Sequence, residues 1–432
     1  MTTTMFKKSL IAATIALATG QVHAAAFQLN EHSASGLGRA YAGEAAIADN
    51  ASVLARNPAA MTTFDKMAVS VSGTYIKPDV DVEGKLSSPI PSVNGKDASQ
   101  SDIAPSAFVP AAYFIQPLND QWAWGLGLFS NYGLSTEYPD TFNAGTAAGS
   151  TELTTFNINP NIAYRINEHF SLGAGVNAVY GSAELNRYNG EYIPTLPNET
   201  RVSHMKGDTW GFGWNVGTLY EINENNRLAL TYRSQVKMSF DGDYSNSLPT
   251  QIPGGLAGKT IDGNLKLDLP AQAEFAGYHR LNQQFAVHYS VNWTDWSAFQ
   301  ELKATSSSGA TLLQKDEKFK DSTRYSIGGT WYINPSWEAR MGFAYDNTPI
   351  EAEYRSLSIP DSDRIWYSAG ATYHINTDMS VDFGMAYLDG KKVDVDESLG
   401  SSHGPVSATN PHWQGTSHGN AFLASAQFNM KF

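Results

Sequence analysis

The segment Phe422-Leu423-Ala424-Ser425-Ala426-Gln427-Phe428-Asn429-Met430-Lys431-Phe432 decides the fold. Phe422, Ala424, Ala426, Phe428, Met430 and Phe432 share one face. Leu423, Ser425, Gln427, Asn429 and Lys431 share the other, which is polar apart from the leucine. A period of two is the period of a β-strand. A strand with one apolar and one polar face fits the edge of a soluble sheet, or the wall of a membrane barrel between lipid and lumen. The final phenylalanine favours the second, because alternation ending in Phe resembles the signal read by the outer-membrane barrel-assembly machinery. Phe432 is therefore expected to be the contact with that machinery.

The other end agrees. Lys7 and Lys8 precede an apolar run, Leu10 to Leu17, too short to span a bilayer, and Val22-His23-Ala24 offers a small-x-small cleavage site. Residues 1–24 thus read as a signal peptide and the mature chain as starting near Ala25. The chain has no cysteine, which excludes a lipid-modified N-terminus, disulfides and thiol chemistry. Charged residues make up only 16% and aromatics 12%, an unusual balance for a soluble enzyme. No other stretch approaches the roughly 20 apolar residues of a membrane helix. Only helices and closed barrels satisfy their backbone in lipid, so an exported membrane protein of this kind must be a barrel. The net charge of −13, with no basic cluster, excludes nucleic acid as a partner. There is no recognisable nucleophile motif, so no catalytic residue, metal or cofactor is expected.

A turn pattern gives the topology. Leu or Ile, then Asn, then two polar residues and a bulky apolar one, occurs at Leu118-Asn119/Trp122, Ile166-Asn167/Phe170, Leu281-Asn282/Phe285, Ile333-Asn334/Trp337 and Ile375-Asn376/Met379. A longer version runs from Ile222 to Arg227. Asn suits tight turns because it tolerates positive φ and bonds its own backbone. Six turns join twelve strands, and one strand at each end brings the total to about fourteen. The segments between alternate: Val381, Phe383, Met385 and Tyr387 against Ser380, Asp382, Gly384 and Ala386, for example. Likewise Val287, Tyr289, Val291 and Trp293 oppose His288, Ser290, Asn292 and Thr294. Leu228, Leu230, Tyr232, Val236, Met238 and Phe240 read as one apolar face against Thr231, Arg233, Gln235, Lys237 and Ser239.

Long polar connections lie at the other strand ends: 77–103, 139–151, 188–206, 245–261, 304–321 and 393–417. Short periplasmic turns opposite long outer loops are the asymmetry of outer-membrane barrels. Trp122 and Trp337 suit the periplasmic aromatic girdle, and Trp293 and Trp296 the outer one. Residues 25–64 show no such alternation. Their glycines, alanines and Asn57-Pro58-Ala59 read as short helices and turns packed inside the barrel as a hatch. The chain thus divides into a signal peptide (1–24), a hatch (25–64) and a barrel (65–432). The fold class is all-β: a transmembrane antiparallel barrel of about fourteen strands plugged by short helices.

The mature chain resembles the FadL family of outer-membrane long-chain fatty acid transporters along essentially its whole length. The resemblance is carried by Phe27-Gln28-Leu29-Asn30-Glu31, Ser35-Gly36-Leu37-Gly38-Arg39-Ala40-Tyr41 and Arg56-Asn57-Pro58-Ala59. It continues through Ser130-Asn131-Tyr132-Gly133-Leu134, Trp210-Gly211-Phe212-Gly213-Trp214-Asn215, Leu230-Thr231-Tyr232-Arg233-Ser234, Gln314-Lys315 and Ser358-Ile359-Pro360-Asp361. It implies a hatch in which Gly36, Gly38, Arg39, Asn57 and Pro58 matter. It implies a kinked third strand whose kink, Ser130, Asn131, Tyr132 and Gly133, opens a gap in the wall. It also implies a carboxylate site at Arg187 and Lys315, with Phe27 reaching into the ligand pocket. Strand parity independently puts Arg187 inside: Leu172, Val176, Ala178 and Tyr180 share the lipid face, and Arg187 falls on the other. The loop 188–206 is shorter than the family's and contains Pro194 and Pro197, so Ile193, Leu196, Leu248, Ile252 and Leu256 offer only a reduced outer groove.

The function this implies is transport of long-chain fatty acids, bound in an apolar lumenal pocket and released sideways into the bilayer. The alternative is uptake of aromatic or other uncharged hydrophobic compounds by the same fold. A general porin is disfavoured by the plug. The expected surroundings are outer-membrane lipid and lipopolysaccharide of a Gram-negative envelope, and the expected state is a monomer.

Overall fold

A computed structural model describes residues 26–400 and 411–432; the expected signal peptide lies outside them. Fourteen antiparallel strands form one closed wall, sealed by the pairing of the first strand, Ala68–Ser87, with the last, His412–Lys431. Every strand pairs with its sequence neighbours over part or all of its length, which closes the wall as lipid requires.

The turns form for the reason the asparagines suggest, with one difference. Asn119 accepts at its Oδ1 from the backbone N–H of Gln121 and of Trp122, each at 2.9 Å. Asn167, Asn282, Asn334 and Asn376 do the same. None of these asparagines has positive φ, so the side-chain bond alone selects the residue. Several expected loops are partly strand. The first strand continues to Ser87, and 301–316 is a hairpin, Glu301–Ser306 with Thr311–Asp316, standing above the ninth and tenth strands.

Outward faces in the lower barrel are apolar: Leu230 is 57% exposed, and Val216, Met341 and Met385 are also exposed. Inward faces there are polar and buried, as at Asp382, His288, Ser290 and Asn215. Trp122 and Trp337 are exposed beside the short turns, where a girdle belongs. These features are those of an outer-membrane barrel, with lipid outside and polar side chains within.

Residues 26–64 occupy the lumen. Short helices Ala34–Leu37 and Glu44–Ile47 and 3-10 turns Ala51–Ala55 and Pro58–Thr63 are buried almost throughout. The contact is close enough to exclude side chains: a Cβ on Gly38 would come within 2.9 Å of the Gly370 Cα in the wall. The Tyr41 ring similarly fills the space where a Gly36 Cβ would stand, at 2.6 Å. Arg39 is fully buried and held by Glu44 at 2.6 Å and Asp49 at 3.0 Å, so its charge is compensated. Asn57 caps the turn that Pro58 begins, accepting from Ala59 N at 3.0 Å. Its Nδ2 donates to Ala45 O within the plug and to Thr218 O in the wall, tying the two together.

Candidate functional site

The seventh strand is broken into Asn226–Arg233 and Val236–Ser245, and the eighth into Thr260–Leu269 and Gln272–Arg280. The two breaks face each other, because Arg233 pairs with Gln272 on one side of them and Val236 with Leu269 on the other. Pro270 explains the second break, since proline cannot donate to a ladder. Each break shifts parity by one residue. Thr231, Arg233 and Glu274 point inward below it, whereas Val236, Met238, Phe240, Leu265, Leu267 and Leu269 point inward above it. The single apolar face expected from Leu228 to Phe240 is therefore divided: Leu230 meets lipid, and Val236 to Phe240 turn into the lumen.

The outcome is an inversion. Above the breaks, Lys237, Asp241 and Lys266 face outward and the lumen is apolar. That lumen holds a cavity of about 770 Å3 lined by Leu185, Met205, Phe240, Leu265, Leu267 and Phe299 among others. Across its wall runs a row of paired residues that begins with two leucines and continues with four small ones. Leu134 pairs with Leu153, Leu153 with Ala183, Ala183 with Gly207, Gly207 with Gly242, and Gly242 with Gly263. Every member of this row lines the cavity. Four neighbouring strands, spaced about 4.8 Å apart, thus present almost no side chain, leaving a trough about 14 Å long across the strands.

Arg187, Lys315 and Phe27 all line this cavity. Arg187, 6% exposed, lies on the inward face of the fifth strand, Phe170–Tyr188, as parity requires, since no bulge intervenes before it. It donates to Ser358 Oγ (2.8 Å), Thr151 Oγ1 (3.1 Å) and the carbonyls of Asn186 (2.8 Å) and Ser150 (3.2 Å). Among the described residues no carboxylate is within ion-pair distance of it. Lys315, on the hairpin, is paired with Glu397. Glu317, also lining the cavity, is buried, and that burial pushes its carboxyl up to about 7, with Glu397 reinforcing the shift and Lys315 opposing it.

Phe27 closes the floor. Its ring packs edge-on against Trp296 at 4.6 Å and Phe299 at 5.5 Å. Trp296, expected in the outer girdle, is fully buried in this cluster. It shares even parity with His288, Ser290 and Thr294, and the 3-10 turn Trp296–Ala298 carries the chain inward.

The third strand is interrupted between Trp122–Phe129 and Gly133–Thr136, at Ser130, Asn131 and Tyr132. Its pairing with the second strand, Ala107–Pro117, stops at Ala112–Leu128; its upper part pairs only with the fourth strand, Ser150–Arg165. The plug takes over part of the lost ladder. Leu29 N donates to Asn131 O at 2.7 Å, and Gly133 N to Phe27 O at 2.8 Å. Ser130 Oγ donates to Thr155 O at 2.6 Å, and Tyr132 OH reaches Pro270 O, at the eighth-strand break, at 2.7 Å. Kink, plug and inverted wall are thus one hydrogen-bonded unit.

Residues 15–432 match the family model described as outer membrane protein transport protein (OMPP1/FadL/TodX). The chain belongs to this family. It is 44% identical over 461 residues to the long-chain fatty acid transport protein of Escherichia coli strain K12, with 99% of each chain covered. It is 38% identical to outer membrane protein P1 of Haemophilus influenzae strain Rd, covering 96% of this chain and 98% of that one. Among solved structures, a Pseudomonas aeruginosa FadL homologue superposes with a TM-score of 0.83 at 22% identity, over 94% of this chain and all of that one. The Pseudomonas putida toluene transporter TodX superposes at 0.67 with 17% identity, over 95% and 100%. Both share the fold. The family and its members are outer-membrane transporters and channels rather than enzymes, which agrees with the want of a nucleophile motif.

The inverted segment, the small-residue row and Glu397 are not foreseen from the sequence; Ser358 enters there only within a family motif, and Glu317 is given no role at the site. A signal is present for the first: Pro270 inside an alternating run, preceded by Lys266 and Asp268 between leucines, with Lys237 between Val236 and Met238 on the strand before.

Proposed function

We propose that this barrel takes up long-chain fatty acids, holding the acyl chain in the apolar cavity with the carboxylate at Arg187. The observation that carries this is a buried guanidinium, bonded only to neutral oxygens, at one side of an otherwise apolar cavity. The names of the similar enterobacterial proteins support the same substrate class. Burying roughly sixteen methylenes contributes on the order of 10 kcal/mol, at about 0.8 each. A partly hydrated carboxylate pair adds about 1 kcal/mol. Apolar contact therefore sets affinity, and the charges select and orient an acid.

Release follows from the same geometry. A ligand leaving through the plug into water forfeits the apolar contact, whereas one passing sideways into the bilayer keeps it. The stretch of the second strand left without a partner on its third-strand side, Ala107–Ala111, beside the kink is the route we assign. Displacing Phe27 breaks the bond from Gly133 N to Phe27 O, so ligand pressure on the floor loosens the kink directly. The test is the pair Arg187→Ala with Lys315→Ala. Oleate binding should weaken about fivefold or more, and oleyl alcohol binding should hold. Equal loss of both ligands would mean that these residues act through folding. Unchanged oleate binding would point instead to uncharged hydrophobic compounds as the cargo.

A further inference from the structure

We propose, resting on the reading of the pocket as a carboxylate site, that Glu397 is a built-in competitor of the ligand: it occupies Lys315 until an incoming acid takes its place. Glu397 lies on Val393–Ser398, an extension laid against the outer part of the fourteenth strand, and is 7% exposed. One carboxylate oxygen accepts from Lys315 Nζ, and the other from Leu357 N at 2.7 Å. A second cavity, of about 950 Å3, lies beside the first and is lined by Ile193, Leu248, Leu312 and Leu399. The two share Leu185, Arg187, Leu302 and Lys315, while Glu397 lines only the second. The Lys315–Glu397 pair therefore stands in the partition between them.

A fatty acid carboxylate has the same charge and acceptor geometry as the Glu397 side chain. Exchange of one for the other conserves the ion pair, so little free energy is at stake and passage is permitted. A neutral molecule that pushes Glu397 aside leaves two partly buried charges unpaired, which is costly. Acids are thus chosen partly by what they replace, and uncharged molecules are disfavoured by what they strand. The displaced Glu397 adjoins Ser398 to Gly400 on the second cavity and turns toward that side. Exchange also frees Leu357 N, next to Ser358, whose hydroxyl accepts from Arg187. The loop that helps hold Arg187 is therefore informed that Lys315 has changed partner.

The test uses the full chain purified in detergent, with oleate and oleyl alcohol as probes. Glu397→Gln keeps an oxygen for Leu357 N and removes the charge. It should tighten oleate binding about fivefold; oleyl alcohol, which has no charge to offer Lys315 and binds with the Lys315–Glu397 pair left in place, should be unchanged. Glu397→Asp, which shortens the reach to Lys315, should shift oleate in the same direction by less and covers the case in which the glutamine variant fails to assemble. In a Lys315→Met background both effects should vanish. An unchanged oleate affinity in both Glu397 variants, or an equal shift for acid and alcohol, overturns the competitor role. If Arg187→Ala with Lys315→Ala leaves oleate binding intact, the carboxylate site itself falls. If that double variant weakens oleate while Glu397→Gln does nothing, only the competitor role falls.

Discussion

Below the paired breaks at Ser234-Gln235 and Pro270-Ala271 the wall is apolar outside and polar inside; above them the two faces exchange character. The lower half solves the problem of standing in lipid. Leu230, Met341 and Met385 face outward to lipid, and the asparagines and arginines of the lumen bond one another and the plug. The upper half solves the problem of attracting a hydrophobic solute. Its charges face out, and its leucines and aromatics face a cavity. One strand serves both ends because a one-residue slip in a period of two moves every side chain to the opposite face.

That contrast is most sharply broken by moving one charge between the halves. Phe240→Asp, in the upper lumen, should lower oleate affinity by about 100-fold or more, since it removes an aromatic contact and adds a desolvated like charge. Assembly should be normal, read as heat-modifiable migration. Leu230→Lys, on the lower outer face, should do the reverse: destabilise the folded barrel by roughly 2–4 kcal/mol in urea unfolding, with ligand affinity unchanged in the protein that folds. If the two substitutions have the same phenotype, the inversion has no functional meaning.

The kink joins the halves. A β-branched side chain at Gly133 favours regular pairing over the interruption. Gly133→Val should cut oleate uptake to about a tenth or less while binding and assembly persist, because the exit step then limits transport. Normal uptake by a variant whose structure shows the third strand paired with the second along its length would sink the sideways route. A smaller effect is expected from the trough. A Cβ on Gly263 meets nothing nearer than Tyr244 Cβ at 3.3 Å, so Gly263→Val fills the cavity without striking backbone. Losing contact with about two methylenes weakens oleate roughly tenfold, with less effect on a short acid that does not span the row. Equal loss for both chain lengths would show that the acyl chain does not lie along it.

The lower half was readable from sequence because its rule is uniform. Met379 to Tyr387 alternates without interruption, and each short turn is announced by an asparagine whose side chain closes it. The upper half was readable only in part. Arg187 was placed correctly because its strand runs unbroken from Phe170, whereas Val236, Met238 and Phe240 were misplaced because two residues of bulge precede them. Alternation reports which residues share a face, and it does not report which face is inside. Trp296 was misplaced for the opposite reason: bulk and position suggested a girdle while its even parity already pointed inward. Glu397 was out of reach, since the contact that matters links a hairpin to a segment some eighty residues away.

Glu317 offers the gentlest test, one that changes no residue at first. Its carboxyl, pushed up to about 7 by burial, is largely protonated at pH 6 and largely ionised at pH 8. Protonated, it adds no repulsion and has a hydrogen to donate to a ligand anion; ionised, it opposes one. Ligand binding and proton binding at Glu317 are therefore positively linked, and anion affinity must fall as pH rises through 7. Oleate is an ambiguous probe because it titrates too. A long-chain alkylsulfonate stays charged throughout, and its affinity should drop about threefold between pH 6 and pH 8 for a partly screened like charge. Arg187, a guanidinium, keeps its charge across this window, so it does not produce that slope. Glu317→Gln should flatten the profile at the tighter, low-pH value. A sulfonate affinity independent of pH in the unaltered protein would place Glu317 outside the reach of the ligand's head, and with it the orientation that sets the acid group against Arg187.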